Sequence, residues 1–569
     1  MSHYFARNLQ FFSQNQPSLN AFLESAPSID VEVHQARNGS KVARINGIYI
    51  NNRFVPQRDT KSIASWTPRD IHLHIGLGMG YGLQADPGSK STHILIYEPF
   101  AQILRVVFEH IPIYKRLNGK NIELITMEEQ LMDRLEGLLD RSTDINLFVQ
   151  PFHQKHDPLR TKRILAHIKE YGQLCAFRHQ TYRHRIKQIL DSTIESLPFS
   201  ANCQAFSEWK QTLNGRPAVI AASGPSLSKN LHQLVPFRER FALFAISRSI
   251  RPLTDIGLTP DFLVHIEFQD FRELVEGVPC LDQTVFLLPH QSHQGFFQVP
   301  ARRHVSYPTA ANPFTEWLMR HYPQWRQDYI DTGGSVAHDA LSLAIEMGAD
   351  PIILIGQDLA INVTPNLSEE QRQDLLPVDG YFGSSVLSPG NYRQFRQWFI
   401  NKVAALKKKG HAPTFINATE GGADIPGMQR RSLRDVCQTL LTDFGGSNVT
   451  IPTTNGSGRT QLPWREPLER ILNELAIIQI INRNMLNSLK QKSRTDATDL
   501  HAQFKTCTDK LSFFAAYLQE DLRAAEQLGN KGRAEQAWRK VHHASQHAAR
   551  HLELVIRGAL EYNQKPLED

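Results

Sequence analysis

Apolar runs and helical periodicities divide the chain into three stretches, of which the first covers residues 1 to about 200. Amphipathic segments there precede two runs, Asp70–Ile75 and Thr92–Glu98, whose apolar residues are typical of β-strands. From about residue 145 to 195 the apolar positions recur at helical spacing. The pattern therefore predicts an N-terminal α/β domain over residues 1–200.

The second stretch alternates short apolar runs with helical segments between residues 215 and about 450. Continuous apolar runs of this kind are typical of parallel strands that are covered on both faces. The runs are Ala218–Ala222, Phe241–Ile246, Asp261–Ile266, Thr284–Leu288 and Pro351–Ile355. They predict a central, doubly wound, Rossmann-like domain over residues 201–455.

The third stretch has no strand-like run. From about residue 463 onward, apolar residues recur three and four apart in three series, within 468–489, 511–525 and 538–555. This pattern predicts three amphipathic helices in a C-terminal helical domain over residues 456–569. We expect such a domain to serve packing or the docking of a partner rather than chemistry.

Histidines in this last stretch offer little support for a metal site. His543 and His547 lie four residues apart, as metal ligands on a helix can. No cluster of acidic residues accompanies them, so a solvated helix face is the better interpretation. We expect no bound metal.

Length, charge and hydropathy exclude several classes of protein. A chain of 569 residues is long enough for three or four domains. No apolar run is long enough to span a membrane, and the N-terminus lacks the apolar segment of a secretory signal, so we expect a cytoplasmic protein. With 63 basic and 57 acidic residues the net charge is only +6, which does not indicate nucleic-acid binding. Composition does not reveal the oligomeric state.

The turn after the first central strand is a candidate phosphate site. The sequence Ala218–Leu227 ends a buried strand, passes through Ser-Gly-Pro-Ser and begins a helical pattern. Ligands of open α/β sheets bind beyond the carboxyl ends of the strands. Gly224 would let a backbone N–H approach an anion, Pro225 suits a first helical position, and Ser226 adds a hydroxyl. We therefore expect Gly224→Val to weaken nucleotide binding without unfolding the protein, although a plain βα turn remains the alternative.

A second glycine turn and an aspartate extend the candidate site. Asp331–His338 contains paired glycines directly before a helical run, which again exposes N–H donors to an anion. The next strand ends in Gly356–Ala360, where Asp358 could bind a ribose or sugar hydroxyl. Capping of a helix is the alternative role for Asp358.

A third loop carries polar groups beside another glycine pair. Asn417, Thr419 and Glu420 follow the strand-like start of Phe415–Ile425 and suit sugar recognition. A purely structural turn is the alternative.

Strand Asp261–Glu267 contributes two ionisable side chains. His265 and Glu267 alternate onto one face, so both could point into the ligand cleft. Glu267 is a candidate general base. The alternative is a structural ion pair with Arg248 or Arg251.

The N-terminal domain has a glycine turn of its own. Gly76, Gly78, Gly80 and Gly82 follow the first strand, and Glu98 ends the second. This arrangement resembles the nucleotide-binding half of a Rossmann methyltransferase, in which the acid holds ribose hydroxyls. Glycines retained only for a tight turn are the alternative.

Taken together, the central motifs resemble the bacterial motility accessory factor (Maf) family of flagellin glycosyltransferases. They are A-S-G-P-S-L at 222–227, D-T-G-G-S-V-A-H-D-A at 331–340, I-G-Q-D-L-A at 355–360 and I-N-A-T-E-G-G-A at 416–423. The likeness covers most of residues 60–440.

This resemblance implies a cytoplasmic transferase for flagellum assembly and motility. It would move a nonulosonic acid, of the pseudaminic or legionaminic type, from its CMP-activated donor to Ser or Thr of flagellin, and would require no further cofactor. The central domain also resembles bacterial sialyltransferases that use CMP-sialic acid. That likeness implies donor binding by Ser223, Gly224, Pro225, Ser226, Gly333, Gly334, Ser335, Gln357 and Asp358.

One departure concerns the catalytic base. Those sialyltransferases use a histidine beyond the G-x-D segment, whereas residues 361–388 contain none. Glu267, His338 or Asp379 would have to substitute, and Glu267 is favoured.

Three other functions remain open. A methyltransferase would use S-adenosylmethionine at the N-terminal glycine turn. A non-catalytic escort would bind flagellin through the helical tail. Distant relatives of the central block suggest a pterin pyrophosphokinase, which would need ATP.

Overall fold

The computed structural model describes residues 2–562 with several gaps. The gaps are 14–15, 17, 26–30, 67–68, 89–91, 118, 140–144, 310–311, 362–367, 369–371, 373, 411, 443–461, 492–493 and 531–533. The chain forms two compact units, Met1–Gln180 and Thr181–Asp569. Helix α8, Pro158–Ser200, contains the boundary between them.

The first unit is an α/β structure. Its strands are β1 (Val31–Gln35), β2 (Lys41–Ile45), β3 (Ile48–Tyr49), β4 (Ile71–Ile75), β5 (His93–Tyr97), β6 (Asn121–Ile125) and β7 (Ile145–Val149). Its helices before α8 are α1 (His3–Ser13), α2 (Leu19–Glu24), α3 (Tyr81–Ala85), α4 (Ala101–His110), α5 (Ile113–Leu117), α6 (Glu128–Leu139) and α7 (Pro151–His156).

A four-stranded parallel sheet, in the order β6-β5-β4-β7, forms the centre of this unit. The predicted strands at Asp70–Ile75 and Thr92–Glu98 are confirmed as β4 and β5. The prediction of helix from about residue 145 is wrong at its start, because Ile145–Val149 pairs with β4 as β7. Its run of apolar residues fits a strand as well as a helix, and length alone does not separate the two.

The second unit contains the larger sheet. Its strands are β8 (Gln204–Ala205), β9 (Ala218–Ala221), β10 (Ala242–Ile246), β11 (Phe262–Val264), β12 (Val285–Pro289), β13 (Arg303–Tyr307), β14 (Ile352–Ile355), β15 (Leu376–Asp379), β16 (Ser385–Ser388), β17 (Phe415–Asn417) and β18 (Gln429–Arg430). Its helices before the tail are α9 (Leu227–Asn230), α10 (Ile250–Thr254), α11 (Pro313–His321), α12 (Val336–Glu346), α13 (Gly390–Lys408) and α14 (Leu433–Val436).

Nine parallel strands form this sheet in the order β18-β17-β14-β9-β10-β11-β12-β13-β8. From β9 the chain first adds strands on one side, and it later adds β14, β17 and β18 on the other. The order therefore reverses between β9 and β14, and crevices at such a switch point are where open α/β sheets bind ligands.

Both faces of the sheet are buried, as its continuous apolar strands require. Ala218 and Ile220 of β9 join one core cluster, together with residues of α12 and α13. Val219 and Ala221, which alternate with them, join a second cluster on the opposite face. The five predicted central strands and the doubly wound Rossmann-like fold are confirmed.

The tail consists of four helices among the described residues rather than the predicted three. They are α15 (Arg465–Lys490), α16 (Arg494–Lys510), α17 (Ala515–Asn530) and α18 (Ala534–Tyr562). Helix α16 has few apolar residues, so its periodicity was too weak to predict it. The tail shares a core with Trp317 of α11. No described helix is both long and apolar enough to cross a membrane.

Candidate active site at the carboxyl edge of the central sheet

Polar side chains gather where β9, β14 and β17 end. These strands are parallel neighbours, so the residues that follow them meet at one edge of the sheet. The segments are Ser223–Ser226 after β9, Gly356–Asp358 after β14 and Asn417–Glu420 after β17. Three of the predicted motifs are thereby brought together at the switch point.

A hydrogen-bonded pair joins the first two segments. Ser226 Oγ donates to Asp358 Oδ2 at 2.6 Å, and the Ser226 backbone N–H donates to the same oxygen at 3.2 Å. Both residues are buried. Asp358 thus holds the Ser-Gly-Pro-Ser turn in place, a role that the prediction of direct ligand binding did not include.

Close packing requires a glycine at position 224. A Cβ at this position would lie 2.0 Å from Asp358 Oδ2 and 2.5 Å from the Gly356 carbonyl oxygen. Its N–H donates to that same carbonyl at 2.8 Å. The Gly224 N–H is therefore used within the protein, and the predicted approach of an anion to this turn would have to use another backbone N–H.

Ser223 is the residue of this turn best placed to meet a ligand. Its side chain is exposed. No hydrogen bond to its N–H or hydroxyl occurs among the described residues, whereas the N–H groups of Gly224 and Ser226 are used internally. Pro225, which has no N–H, is exposed beside it.

The third segment contains buried amide groups with unused capacity. Thr419 Oγ1 accepts from the Gln357 N–H at 3.2 Å, and Asn417 Oδ1 accepts from the Thr419 N–H at 3.2 Å. Gln357 Oε1 and Asn417 Nδ2 are buried without a partner. Since buried polar atoms are normally satisfied, an internal water or a bound ligand would complete these hydrogen bonds.

Glu420 serves the structure of the edge. Its Oε2 accepts from Asn230 Nδ2 at 2.9 Å and from the Leu433 N–H at 3.2 Å. The carboxylate therefore links α9 and α14 to this loop. Only the other carboxylate oxygen, Oε1, is left for the predicted contact of Glu420 with a sugar.

The second glycine turn lies at the start of α12. Asp339, in the first turn of that helix, bonds Tyr307 at the carboxyl end of β13, which places the turn at the same sheet edge. Gly333 packs where a Cβ would lie 2.5 Å from Trp398 Cγ, whereas Gly334 has φ +81° and open space around it. Ser335 is the N-cap residue of α12. No hydrogen bond joins this turn to Ser223–Ser226 among the described residues.

The position of His338 is unfavourable for the predicted role of catalytic base. Its side chain is fully buried beneath Gly333 and packs against Phe395, Trp398 and Phe399 of α13. Burial lowers the pKa of His338 to about 3. Enclosed in this way, the imidazole does not face the carboxyl edge of the sheet in this structure, so Glu267 and Asp379 are the better candidates for the base.

Asp339, in the first turn of α12, is a second buried ionisable group at this helix start. Tyr307 Oη donates to Asp339 Oδ2 at 3.0 Å, and Thr332 Oγ1 donates to Oδ1. Burial raises the pKa of Asp339 to about 7, with a contribution from Asp331. The group was not predicted, because nothing in its sequence neighbourhood signals burial of a carboxyl.

This raised pKa makes stability depend on pH. Because the folded state holds the Asp339 proton more tightly than the unfolded chain, stability falls by about 1.4 kcal/mol per pH unit as the pH rises from about 4 to about 7. We expect Asp339→Asn to remove this component. The stability of the variant minus that of the native protein should therefore be larger at pH 7 than at pH 5. Melting temperatures across this range measure it. The exposed Asp282→Asn is the control, and parallel curves for Asp339→Asn and the native protein would contradict the prediction.

Glu267 and Asp379 are placed differently from His338. Glu267 follows β11 and is partly exposed, and no ion pair with Arg248 or Arg251 occurs among the described residues. Instead, Arg251 Nη2 donates to the backbone carbonyls of Glu273 and Glu276. Asp379 is exposed at the end of β15. Both carboxylates are accessible to a substrate.

His265 is buried beside Glu267 and supports the end of β11. Its Nδ1 lies 2.7 Å from Ser247 Oγ, and its ring stacks on Phe296 with 3.5 Å between centroids. Burial lowers the pKa of His265 to about 3. The Glu267 backbone carbonyl accepts from the His293 N–H at 3.0 Å. The backbone at Glu267 is therefore held in position by these contacts.

In the first unit, side chains of the protein itself occupy the space beside the glycine turn. A Cβ at Gly76 would lie 2.4 Å from His153 Nδ1, and one at Gly78 would lie 2.8 Å from Gln150 Nε2. Glu98 is buried and accepts hydrogen bonds from the Leu77 N–H, the Phe100 N–H and His153 Nε2. The acid that would hold a ribose in a methyltransferase is thus used for structure, which favours the tight-turn alternative.

Comparisons with known proteins agree with this description of the second unit. The family model "6-hydroxymethylpterin diphosphokinase MptE-like" matches residues 191–364. No curated protein sequence matches the chain. Among solved structures, the Maf glycosyltransferase from Magnetospirillum magneticum AMB-1 is similar over 99% of this chain and 97% of its own, with a TM-score of 0.60 and 14% sequence identity. The fold is thus that of a Maf glycosyltransferase, as the motifs predicted.

Proposed function

We propose that the protein is a cytoplasmic glycosyltransferase that moves a nonulosonic acid, of the pseudaminic or legionaminic type, from a CMP-activated donor to a serine or threonine of flagellin. The observation that carries the proposal is the polar edge at the β9/β14 switch point, on a chain whose whole length is similar in fold to a Maf glycosyltransferase. Flagellin as acceptor and motility as outcome rest on the resemblance of the motifs.

The residues of the edge suit a nucleotide donor. Ser223 is exposed and offers an N–H and a hydroxyl to a phosphate oxygen, and the buried amides of Gln357 and Asn417 support the loops on either side of it. Asp358 contributes by fixing the turn that carries Ser223. The N-terminus of α12, with Ser335 at the N-cap position, favours negative charge nearby.

The chemistry requires little beyond charge stabilisation and one base. The bond between the anomeric carbon and the phosphate oxygen breaks, CMP leaves with the electron pair, and positive charge develops on the sugar. The acceptor hydroxyl oxygen then attacks the anomeric carbon, and its proton passes to a base. Glu267 is two strands from β9, about 10 Å along the edge at the usual strand spacing, which leaves room for the sugar between turn and base.

Replacement of Ser223 tests the nucleotide site. We expect Ser223→Ala to weaken CMP binding about tenfold, because a hydrogen bond to a charged group is lost. Isothermal titration calorimetry with CMP measures this. Ser228→Ala, an exposed serine five residues away whose hydroxyl donates to the Pro225 carbonyl, should bind CMP normally. Equal affinities for all three proteins would remove the turn from the donor site.

A pterin diphosphokinase is the second candidate, since that family model matches residues 191–364. It would transfer a diphosphoryl group from ATP to a hydroxymethylpterin.

Purified protein should therefore be assayed with CMP-nonulosonate and flagellin, and separately with ATP and 6-hydroxymethylpterin. CMP release that depends on the sugar donor supports the first function, whereas AMP release with the pterin supports the second. Binding of flagellin without either reaction would indicate the escort.

A further inference from the structure

Arg248 is an exposed cation at the carboxyl edge of the central sheet. It lies in a short 3₁₀ turn, Ser247–Ser249, directly after β10. Strand β10 lies between β9, which leads to Ser223, and β11, which leads to Glu267. Because neighbouring strands are about 4.8 Å apart, Arg248 is within side-chain reach of a ligand over either strand. It therefore lies between the proposed phosphate-binding turn and the proposed base.

Hydrogen bonds to both neighbouring strands hold this turn in place. Ser249 Oγ donates to the carbonyl of Ala221, at the end of β9, at 2.6 Å. Ser247 Oγ lies 2.7 Å from Nδ1 of His265, the residue that follows β11. Both serines are buried. The backbone that carries Arg248 is thus already ordered, so a ligand does not bear the entropic cost of ordering it.

The side chain of Arg248 is not used to hold the fold together. It makes no hydrogen bond and no ion pair with any of the described residues. Arg251, three residues further along, differs in this respect, because its Nη2 donates to the backbone carbonyls of Glu273 and Glu276. The positive charge of Arg248 is therefore available to an anion that enters the site.

The proposed donor brings a second anionic group to this position. In a CMP-activated nonulosonic acid, a carboxylate and the phosphate oxygen are both bonded to the anomeric carbon. With the phosphate at Ser223, the carboxylate lies beside it, and Glu267 adds negative charge on the far side of the sugar. A cation between these groups lowers their repulsion. The planar guanidinium of arginine matches a carboxylate with two parallel hydrogen bonds.

We propose that Arg248 binds the carboxylate of the donor sugar and so selects an ulosonic acid over a neutral sugar. The proposal rests on the proposed function. Arg248 is assigned to the carboxylate and not to the phosphate because it lies one strand nearer to Glu267 than the turn at Ser223 does, on the side where the sugar is expected. A nucleotide with a neutral hexose carries no charge at this position and gains nothing from Arg248.

Equilibrium binding to the full-length protein separates the carboxylate from the phosphate. CMP carries the phosphate alone, whereas CMP-pseudaminic acid and CMP-legionaminic acid carry both groups. In isothermal titration calorimetry without flagellin, Arg248→Gln should bind the CMP-sugar about 10–100-fold more weakly than the native protein does, because a charged hydrogen-bonded pair is lost. Its affinity for CMP should be nearly unchanged. Arg248→Lys, which keeps the charge without the planar fork, should recover part of the lost affinity.

The matched control is Arg303→Gln. Arg303 is an exposed arginine at the start of β13, and because the strands are parallel it lies at the opposite edge of the same sheet. This variant should bind CMP and the CMP-sugar as the native protein does. Thermal melting should show all three variants folded, since neither arginine is buried.

Two results would overturn the role of Arg248 alone. Equal weakening of CMP and the CMP-sugar in Arg248→Gln would assign the guanidinium to the phosphate, and native affinity for both would remove it from the site. If the native protein binds neither CMP-sugar, the proposed function fails and this proposal fails with it.

Discussion

Glu267→Gln should lower the turnover of sugar transfer about 10²–10⁴-fold, the usual contribution of a general base. Glutamine keeps the shape of the side chain but cannot accept the proton of the acceptor hydroxyl. Affinity for CMP should be nearly intact, because Glu267 lies two strands away from the turn at Ser223–Ser226. Single-turnover rates with saturating donor and flagellin measure the effect.

The control for this variant is Glu273→Gln, an exposed carboxylate six residues further along the chain. It should transfer sugar at the native rate. Near-normal turnover by a folded Glu267→Gln protein would eliminate the base, and Asp379→Asn would then be the next variant to test, since His338 is enclosed.

Gly224→Ala should destabilise the second unit by about 1–3 kcal/mol, as overpacking into fixed atoms does. The added methyl group would lie 2.0 Å from Asp358 Oδ2 and 2.5 Å from a backbone carbonyl oxygen, and the carbonyl cannot move without shifting β14. The close packing therefore predicts that a larger residue at position 224 lowers stability as well as binding. Urea unfolding followed by tryptophan fluorescence measures it.

Gly558→Ala provides the matched control for the glycine variant. Gly558 lies in α18 with nothing within 4 Å of a Cβ, so alanine should leave stability equal or raise it by about 1 kcal/mol. A native urea midpoint for Gly224→Ala would show that the turn is looser than its contacts with Asp358 and Gly356 indicate.

Much of the fold follows from the sequence because its strands are buried on both faces. Runs such as Ala218–Ala222 and Pro351–Ile355 contain no polar residue, so their assignment to a parallel sheet does not depend on tertiary detail. Strand β13, Arg303–Tyr307, was missed because arginine, histidine and serine interrupt its apolar residues. It pairs with β12 along its whole length, and this pairing, not its local pattern, makes it a strand.

The candidate site could be predicted only as a set of motifs. The sequence identifies the four motifs but not the contacts between them. The hydrogen bond between Ser226 and Asp358, for example, joins residues 132 positions apart. No spacing rule predicts such a contact from one sequence. The same limit explains why Asp358 and Glu420 were expected to face ligand, whereas their carboxylates mainly hold the turns around it.

The most direct test of the proposed function is the intact mass of flagellin after incubation with the purified protein. Flagellin produced without its glycosylation enzymes is incubated with CMP-pseudaminic acid or CMP-legionaminic acid, and released CMP is measured in parallel. We predict mass increments of one nonulosonic acid residue per modified site, matched mole for mole by CMP. Unmodified flagellin with both donors, under conditions in which the protein is folded and binds CMP, would contradict the proposal.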